Sequence, residues 1–132
     1  PAQISSVVSK NMIKNKYGKI INISSIFGSV SRTMRSSYSS SKFGIKGLTK
    51  ATALDLASKN IYVNSISPGF IDTKLTRKVL KKSGILKITK DIPLLRMGKP
   101  KEIAYLALYL ASDYNTYITG QDFLIDGGFT SK

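Results

Sequence analysis

The sequence KIINIS at residues 19–24 decides the fold of this chain. It is short, branched and mostly apolar, and it follows a glycine, which is typical of a strand buried within a parallel sheet. A second run of this kind, IYVNSIS at residues 61–67, ends before Pro68, which cannot continue a central hydrogen-bond ladder. A third short run, FLI, occupies residues 123–125. The sequence therefore predicts three strands.

Helical patterns alternate with these runs. Residues 2–15 place apolar side chains mostly at helical spacing, and residues 100–113 predict a buried helix with a proline at its start. Residues 38–58 predict a longer helix whose apolar positions spread over more than one face, so it should pack against two partners, another subunit being one candidate. Alternation with short connections predicts an α/β fold with a parallel sheet and helices on both faces. A doubly wound dinucleotide fold uses about six strands, so three strands predict half of one.

The segment at residues 73–97 differs from the rest. It is basic, and Gly84 and Pro93 should interrupt any long helix there. We expect a mobile helical flap at this position.

Composition bounds the possible chemistry. The 132 residues suffice for one domain, and no apolar run is long enough for a membrane helix, so the default expectation is a soluble cytoplasmic protein without membrane partners. The absence of cysteine and histidine excludes disulfides, thiolate metal sites and a Ser-His-Asp relay. The net charge of +14 makes nucleic acid a partner to consider. We expect none, because no DNA-reading motif or aromatic interleaving accompanies the lysines; a solvated surface or an acidic protein partner fits them better.

Three side chains form a candidate catalytic group. Tyr38 and Lys42 lie four residues apart at the start of a predicted helix, which places them on one face. A phenol has a pKa of about 10, and a neighbouring ammonium favours its ionised form. Ser25 follows a predicted strand, at the carboxyl edge where open α/β sheets bind ligands. Each residue alone is a weak signal, because serine after a strand is commonly a turn residue.

The order of the motifs is more specific than any single residue. The chain contains NISS at residues 22–25, YSSSK at 38–42, VNSISPGFIDT at 63–73, YITGQ at 117–121 and DGG at 126–128. Together these segments resemble the signatures of the short-chain dehydrogenase/reductase family, and the resemblance covers essentially the whole chain. It implies an oxidoreductase that transfers a hydride between a nicotinamide cofactor and a carbonyl or alcohol substrate.

The resemblance also implies a role for each catalytic residue. Tyr38 would be the general acid in carbonyl reduction and the base in alcohol oxidation. Ser25 would orient the reacting oxygen, while Lys42 would lower the pKa of the phenol and hydrogen-bond the nicotinamide ribose. Tyr38 and Lys42 therefore count as cofactor-binding residues too.

Four further residues are implied in holding the cofactor, and no metal site is expected. Pro68 and Gly69 would form a wall beside the nicotinamide. The backbone of Ile71 and the hydroxyl of Thr73 would meet its carboxamide. The choice between NAD and NADP stays open, because the residues that decide it follow a strand outside this sequence.

Two features of the family are absent from these 132 residues. They are the Gly-rich turn that binds the pyrophosphate and the asparagine that, in this family, supports the lysine through water; by the resemblance both would lie before residue 1. The resemblance thus predicts that residues 1–132 are the C-terminal half of a doubly wound, Rossmann-type domain, carrying catalysis and substrate binding but lacking the N-terminal dinucleotide-binding half. We expect this half alone to be poorly soluble and inactive, and the full-length protein to form a dimer or tetramer.

The substrate is less specified. The closest resemblance is to 3-oxoacyl-acyl-carrier-protein reductases, with sugar or small-alcohol dehydrogenases as the alternative. Members of the first group present basic side chains near the cleft to the acidic carrier, and Lys16 and Lys59 fall at the corresponding places. A truncated, inactive remnant or interaction module is a further alternative, which the intact Ser25, Tyr38 and Lys42 disfavour.

Overall fold

A computed structural model describes residues 1–131. Its regular elements are α1 (Ala2–Asn15), β1 (Gly18–Ile23), α2 (Ser36–Leu56), β2 (Ile61–Pro68), α3 (Lys74–Asp91), α4 (Pro100–Ala111) and β3 (Asp122–Ile125). Short 3₁₀ turns at Ile26–Gly28 and Ala57–Lys59 precede and follow α2. The order of helices and strands is the one that the sequence predicted.

The three strands form one parallel sheet in the order β1-β2-β3. Gly18 of β1 is opposite Ile61 of β2, and the pairing runs in register to Ile23 and Ile66. On the other side of β2, the pairing with β3 runs from Ser65 opposite Asp122 to Pro68 opposite Ile125. The predicted parallel α/β architecture is therefore confirmed, and the carboxyl ends of the strands share one edge.

Alternation along the strands sends side chains to two helical layers. On one face, Ile20 of β1 and the fully buried Val63 of β2 pack with Met12 of α1 and with Ala53 and Leu56 of α2. Fully burying a side chain such as Val63 stabilises the fold by about 1.5–3 kcal/mol.

The opposite face of the sheet meets the segment that follows α4. Tyr62 donates a hydrogen bond from its hydroxyl to the carbonyl of Thr116 at 3.1 Å, and the Asn64 amide donates to Ile118 at 2.8 Å. The sheet is thus covered on both faces.

Two expectations about the helices were wrong in detail. The segment expected to break at Gly84 is helical across that glycine, and the break lies at Lys81, whose φ of 53° and ψ of 175° are not helical. Helix α4, expected to be buried, keeps only Leu110 fully inside and exposes Tyr105 and Leu108, by 59% and 69%. One face of α4 therefore lies against the sheet and the other against solvent. No helix within residues 1–131 combines the length and the apolar character needed to cross a membrane.

Candidate active site

Ser25 lies just beyond the carboxyl end of β1. The amide of Ser24 continues the ladder to the carbonyl of Ile66 at 2.7 Å, so the strand direction is kept up to the site. Ser25 then begins the 3₁₀ turn, with its Oγ accepting a hydrogen bond from the amide of Phe27 at 3.2 Å. Because this bond uses a lone pair of Oγ, the hydroxyl proton is left to donate to a ligand oxygen. Only 7% of Ser25 is exposed, which fixes its rotamer.

The loop that carries Ser25 is clamped against α2. The hydroxyl of Ser24 donates to the main-chain carbonyl of Lys42 at 3.0 Å. A methyl group on Gly28 would lie 2.8 Å from the same carbonyl oxygen, so only glycine permits this approach of loop to helix. The spacing between Ser25 and α2 thus depends on two small residues, Ser24 and Gly28.

Tyr38 and Lys42 lie one above the other on α2. The Lys42 Nζ is 5.7 Å from the centroid of the Tyr38 ring and donates to the carbonyl of Ile23, the last residue of β1, at 3.1 Å. The ring of Phe27 meets that of Tyr38 edge to face, with centroids 6.1 Å apart. Tyr38 itself is 42% exposed, so its hydroxyl can reach a ligand.

A cleft of about 310 Å³ opens beside these residues. Its lining residues come from the Ser25 loop, the start of α2, the end of β2 and the first half of α3: Ser25, Ile26, Phe27, Arg32, Arg35, Tyr38, Gly69, Phe70, Ile71, Leu75, Thr76, Val79 and Leu80. Of the predicted site residues, the cleft brings together Ser25, Tyr38, Gly69 and Ile71. Lys42 lies behind Tyr38, and Pro68 and Thr73 do not line the cleft.

The turn after β2 approaches a second turn that follows β3. Gly69 donates its amide to the carbonyl of Ile125 at 2.9 Å, and a methyl group on Gly69 would lie 2.8 Å from the Cα of Asp126. Asp126 in turn accepts hydrogen bonds from the Gly128 amide and from the amide and hydroxyl of Thr130. Burial raises the pKa of Asp126, but these bonds outweigh it and hold the pKa below its ordinary value.

The next segment leads from the cleft into α3. A bridge to Gly98 uses the carbonyl of Phe70 and the amide of Asp72, and does not use the amide of Ile71. Thr73 is the N-cap of α3, and its hydroxyl accepts from the amide of Thr76 at 3.1 Å. The Thr73 hydroxyl therefore caps α3. From the sequence we expected it to meet the nicotinamide carboxamide and did not predict this cap.

Comparisons with known proteins agree with this geometry. A family model described as Enoyl-(Acyl carrier protein) reductase matches residues 2–130. A 3-oxoacyl-[acyl-carrier-protein] reductase from Chlamydia trachomatis is 47% identical over 128 residues, which cover 95% of this chain and 50% of the relative. The chain belongs to the short-chain dehydrogenase/reductase family.

Solved structures of short-chain dehydrogenases/reductases share the fold. A gluconate 5-dehydrogenase from Burkholderia cenocepacia, in complex with NADP and tartrate, aligns with a TM-score of 0.92 at 32% identity, covering 98% of this chain and 51% of that one. A 4-hydroxyisoleucine dehydrogenase mutant complexed with NADH and succinate aligns with a TM-score of 0.92 at 39% identity. The alignment covers 98% of this chain and 54% of that one. The chain spans about half the length of the relatives it matches.

Within this short-chain dehydrogenase/reductase chain, Lys16 and Lys59 do not lie near the cleft. The side chain of Asn60, which follows Lys59, donates to the carbonyl of Lys16 at 3.0 Å, so the two lysines lie together just before β1 and β2 begin. The cleft is at the opposite, carboxyl edge. Six-residue strands separate the two edges by roughly 20 Å, so these lysines do not line this cleft, and their role toward an acidic carrier stays a prediction.

The cations that do line the cleft are Arg32 and Arg35, which the sequence analysis missed. Arg32 stacks over the ring of Phe27, with its Cζ 5.4 Å from the centroid. Arg35 immediately precedes the first residue of α2. The sequence offered one signal for them, because both arginines lie between the Ser25 and Tyr38 motifs. Loop residues have no periodicity, however, so their side-chain directions could not be predicted.

Proposed function

We propose that the whole protein is a nicotinamide-dependent oxidoreductase that interconverts a carbonyl and an alcohol, with Ser25, Tyr38 and Lys42 as its catalytic residues. The observation that carries this proposal is the convergence of three elements. Ser25 from the β1 loop and Tyr38 from α2 line one cleft, and Lys42 lies one helical turn behind Tyr38.

The proposed proton path uses the hydroxyl protons of Tyr38 and Ser25, which both line the cleft. In the reducing direction, Tyr38 donates its phenolic proton to the oxygen of the substrate while the hydroxyl of Ser25 donates a hydrogen bond to the same oxygen. In the oxidising direction, the Tyr38 phenolate removes the proton of the alcohol. The Lys42 ammonium is held one helical turn behind Tyr38 by its hydrogen bond to the carbonyl of Ile23.

The end of β2 fits a flat cofactor ring. Gly69 presents no side chain to the cleft, and the Ile71 amide is not used by the bridge to Gly98. The Lys42 ammonium has three N–H donors and uses one in its hydrogen bond to Ile23. The other two can donate to a ribose hydroxyl of the cofactor. Pro68 and Thr73 complete the proposed set from outside the cleft. When bound, the nicotinamide of NAD or NADP supplies or accepts the hydride.

We assign substrate and assembly by analogy with the relatives. Reduction of a 3-oxoacyl-acyl-carrier-protein is one candidate reaction, and oxidation of a sugar acid or small alcohol is the other, since the solved neighbours include a gluconate 5-dehydrogenase. A homo-oligomer, a dimer or tetramer, and a cytoplasmic location also stay predictions. Size-exclusion chromatography with light scattering of the whole protein tests the first, and cell fractionation the second.

Residues 1–132 are proposed to be the catalytic, C-terminal half of one domain. The three-stranded sheet and the half-length match to relatives support this division. The dinucleotide-binding half is accordingly assigned to sequence outside these residues. Sequencing the coding DNA upstream of Pro1 tests it: an in-frame strand and Gly-rich turn support the assignment, and stop codons or unrelated sequence contradict it.

The function itself is tested by Tyr38→Phe in the whole protein. This change keeps the ring and removes the proton, so kcat for any carbonyl substrate should fall about 100-fold or more. Tyr114→Phe is the matched control, because Tyr114 is 84% exposed and outside the cleft. Near-normal turnover of the Tyr38 variant would overturn the assignment.

A further inference from the structure

The formal charges that line the cleft are all positive in the described part of the chain. Arg32 and Arg35 contribute two guanidinium groups, and no carboxylate lines the cleft. Neither arginine has an ion-pair partner among residues 1–131. The acid closest in sequence to the cleft wall, Asp72, is held by Arg77 through two hydrogen bonds of 2.5 Å. The cleft therefore presents uncompensated positive charge to its ligand.

These two arginines are positioned relative to Tyr38. Arg32 stacks on Phe27, and Phe27 in turn contacts the Tyr38 ring edge to face. Arg35 is the N-cap residue of α2, three residues before Tyr38, and both side chains line the cleft. The first turn of α2 contains no acidic side chain, and its positive dipole end adds to the two guanidinium charges.

The size and polarity of the cleft limit the body of the ligand. Its volume of about 310 Å³ is shared with the nicotinamide ring proposed above to lie beside Gly69 and Ile71, so the space left for the substrate is small. Leu75, Val79 and Leu80 of α3 give it an apolar wall. A short organic body with one anionic end fits this combination, because the apolar wall takes the carbon chain and the arginines take the charge.

We propose that Arg32 and Arg35 bind the carboxylate of a short oxo acid, or of the corresponding hydroxy acid, whose carbonyl or hydroxyl lies at Ser25 and Tyr38. This inference rests on the proposed function and names its substrate class. Arginine suits the task because its planar fork can bind both carboxylate oxygens. In a carrier-bound thioester, the phosphate lies at the far end of a long pantetheine arm, too far from the reacting carbonyl to meet Arg35.

The test compares substrates that differ only in the anion. Whole protein is assayed with NADH and NADPH on 3-oxobutanoate and on its methyl ester, and then on the 2-oxo and 4-oxo acids with their esters. We expect wild type to prefer the acid of at least one pair by about 10-fold or more in kcat/KM, mainly through KM. Arg35→Gln and Arg32→Gln should each lower that acid-to-ester ratio by about 10-fold.

Lys50→Gln is the matched control, because it removes one positive charge from an exposed position of α2 outside the cleft. It should keep the ratio, since loss of distant charge is screened. Equal turnover of acids and esters by wild type would overturn the inference, and so would an acid-to-ester ratio that Arg35→Gln leaves unchanged. In either case, turnover of the ester would still support the proposed oxidoreductase function. Absence of nicotinamide-dependent turnover on acids, esters and carrier thioesters alike would instead refute the proposed function and the inference with it.

Discussion

Replacing Asp122 by asparagine tests an ion pair that ties β3 to α2, the helix that carries Tyr38. One oxygen of Asp122 accepts hydrogen bonds from the hydroxyls of Ser65 and Ser67 at 2.6 and 2.7 Å, and the other lies 2.7 Å from Nζ of Lys46. The Lys46 ammonium also donates to the hydroxyl of Ser29, in the loop that carries the active site. The pair and its hydrogen bonds therefore join four segments, namely β2, β3, α2 and the loop that carries Ser25.

The magnitude follows from how little of the pair is exposed. Only 20% of the Lys46 side chain and 14% of the Asp122 side chain are accessible. Removing one partner of a fully buried pair costs about 3–5 kcal/mol, and partial access to water reduces this to roughly 2–3 kcal/mol for Asp122→Asn. Lys46→Met should cost less, about 1–2 kcal/mol, because both serine hydroxyls still serve the carboxylate.

Urea unfolding of the whole protein, followed by circular dichroism, measures these changes. The double variant Asp122→Asn with Lys46→Met should be more stable than the sum of the two single changes predicts, by about 1–2 kcal/mol. Asp55→Asn, on the exposed side of α2, is the control and should change stability by less than about 0.5 kcal/mol. Additive single changes, or a loss below about 0.5 kcal/mol for Asp122→Asn, would refute the reasoning.

The remaining predictions concern the loop clamp and pH. Gly28→Ala should destabilise the protein by about 1–3 kcal/mol and lower kcat, because the new methyl group meets the Lys42 carbonyl at 2.8 Å. Gly84→Ala, which meets only a side chain at 3.5 Å inside α3, should instead stabilise it by up to about 1 kcal/mol; thermal unfolding and steady-state kinetics distinguish the two. Hydrogen bonds from Arg96 lower the pKa of Glu102 from 4.5 to about 2, so its stabilising effect is present above pH 4.5 and is lost as the pH falls towards 2. Glu102→Gln should therefore show a weaker loss of stability than wild type over that range in acid titrations, and parallel curves would contradict the assignment.

Local patterns in the sequence were sufficient for much of the fold. The branched runs at residues 19–24 and 61–67 became parallel strands, and the alternation with helices fixed their common direction. That direction explains why Ser25, after the first strand, could be expected at the same edge as the turn beginning at Gly69. The spacing of Tyr38 and Lys42 predicted their stacking directly, because four residues complete about one helical turn.

Other features depended on contacts between distant segments. Nothing local marks Lys81 as the break in α3, or pairs Lys46 with Asp122, 76 positions away along the chain. The Thr73 hydroxyl forms a cap because α3 begins at the next residue, Lys74. Helical and strand periods come from repeating backbone geometry within a few residues, so the sequence by itself determined the elements, their order and the stacking of Tyr38 and Lys42. The direction of loop side chains such as Arg32 and the partners of buried charges depend on which surfaces meet on folding, and only the tertiary structure decided them.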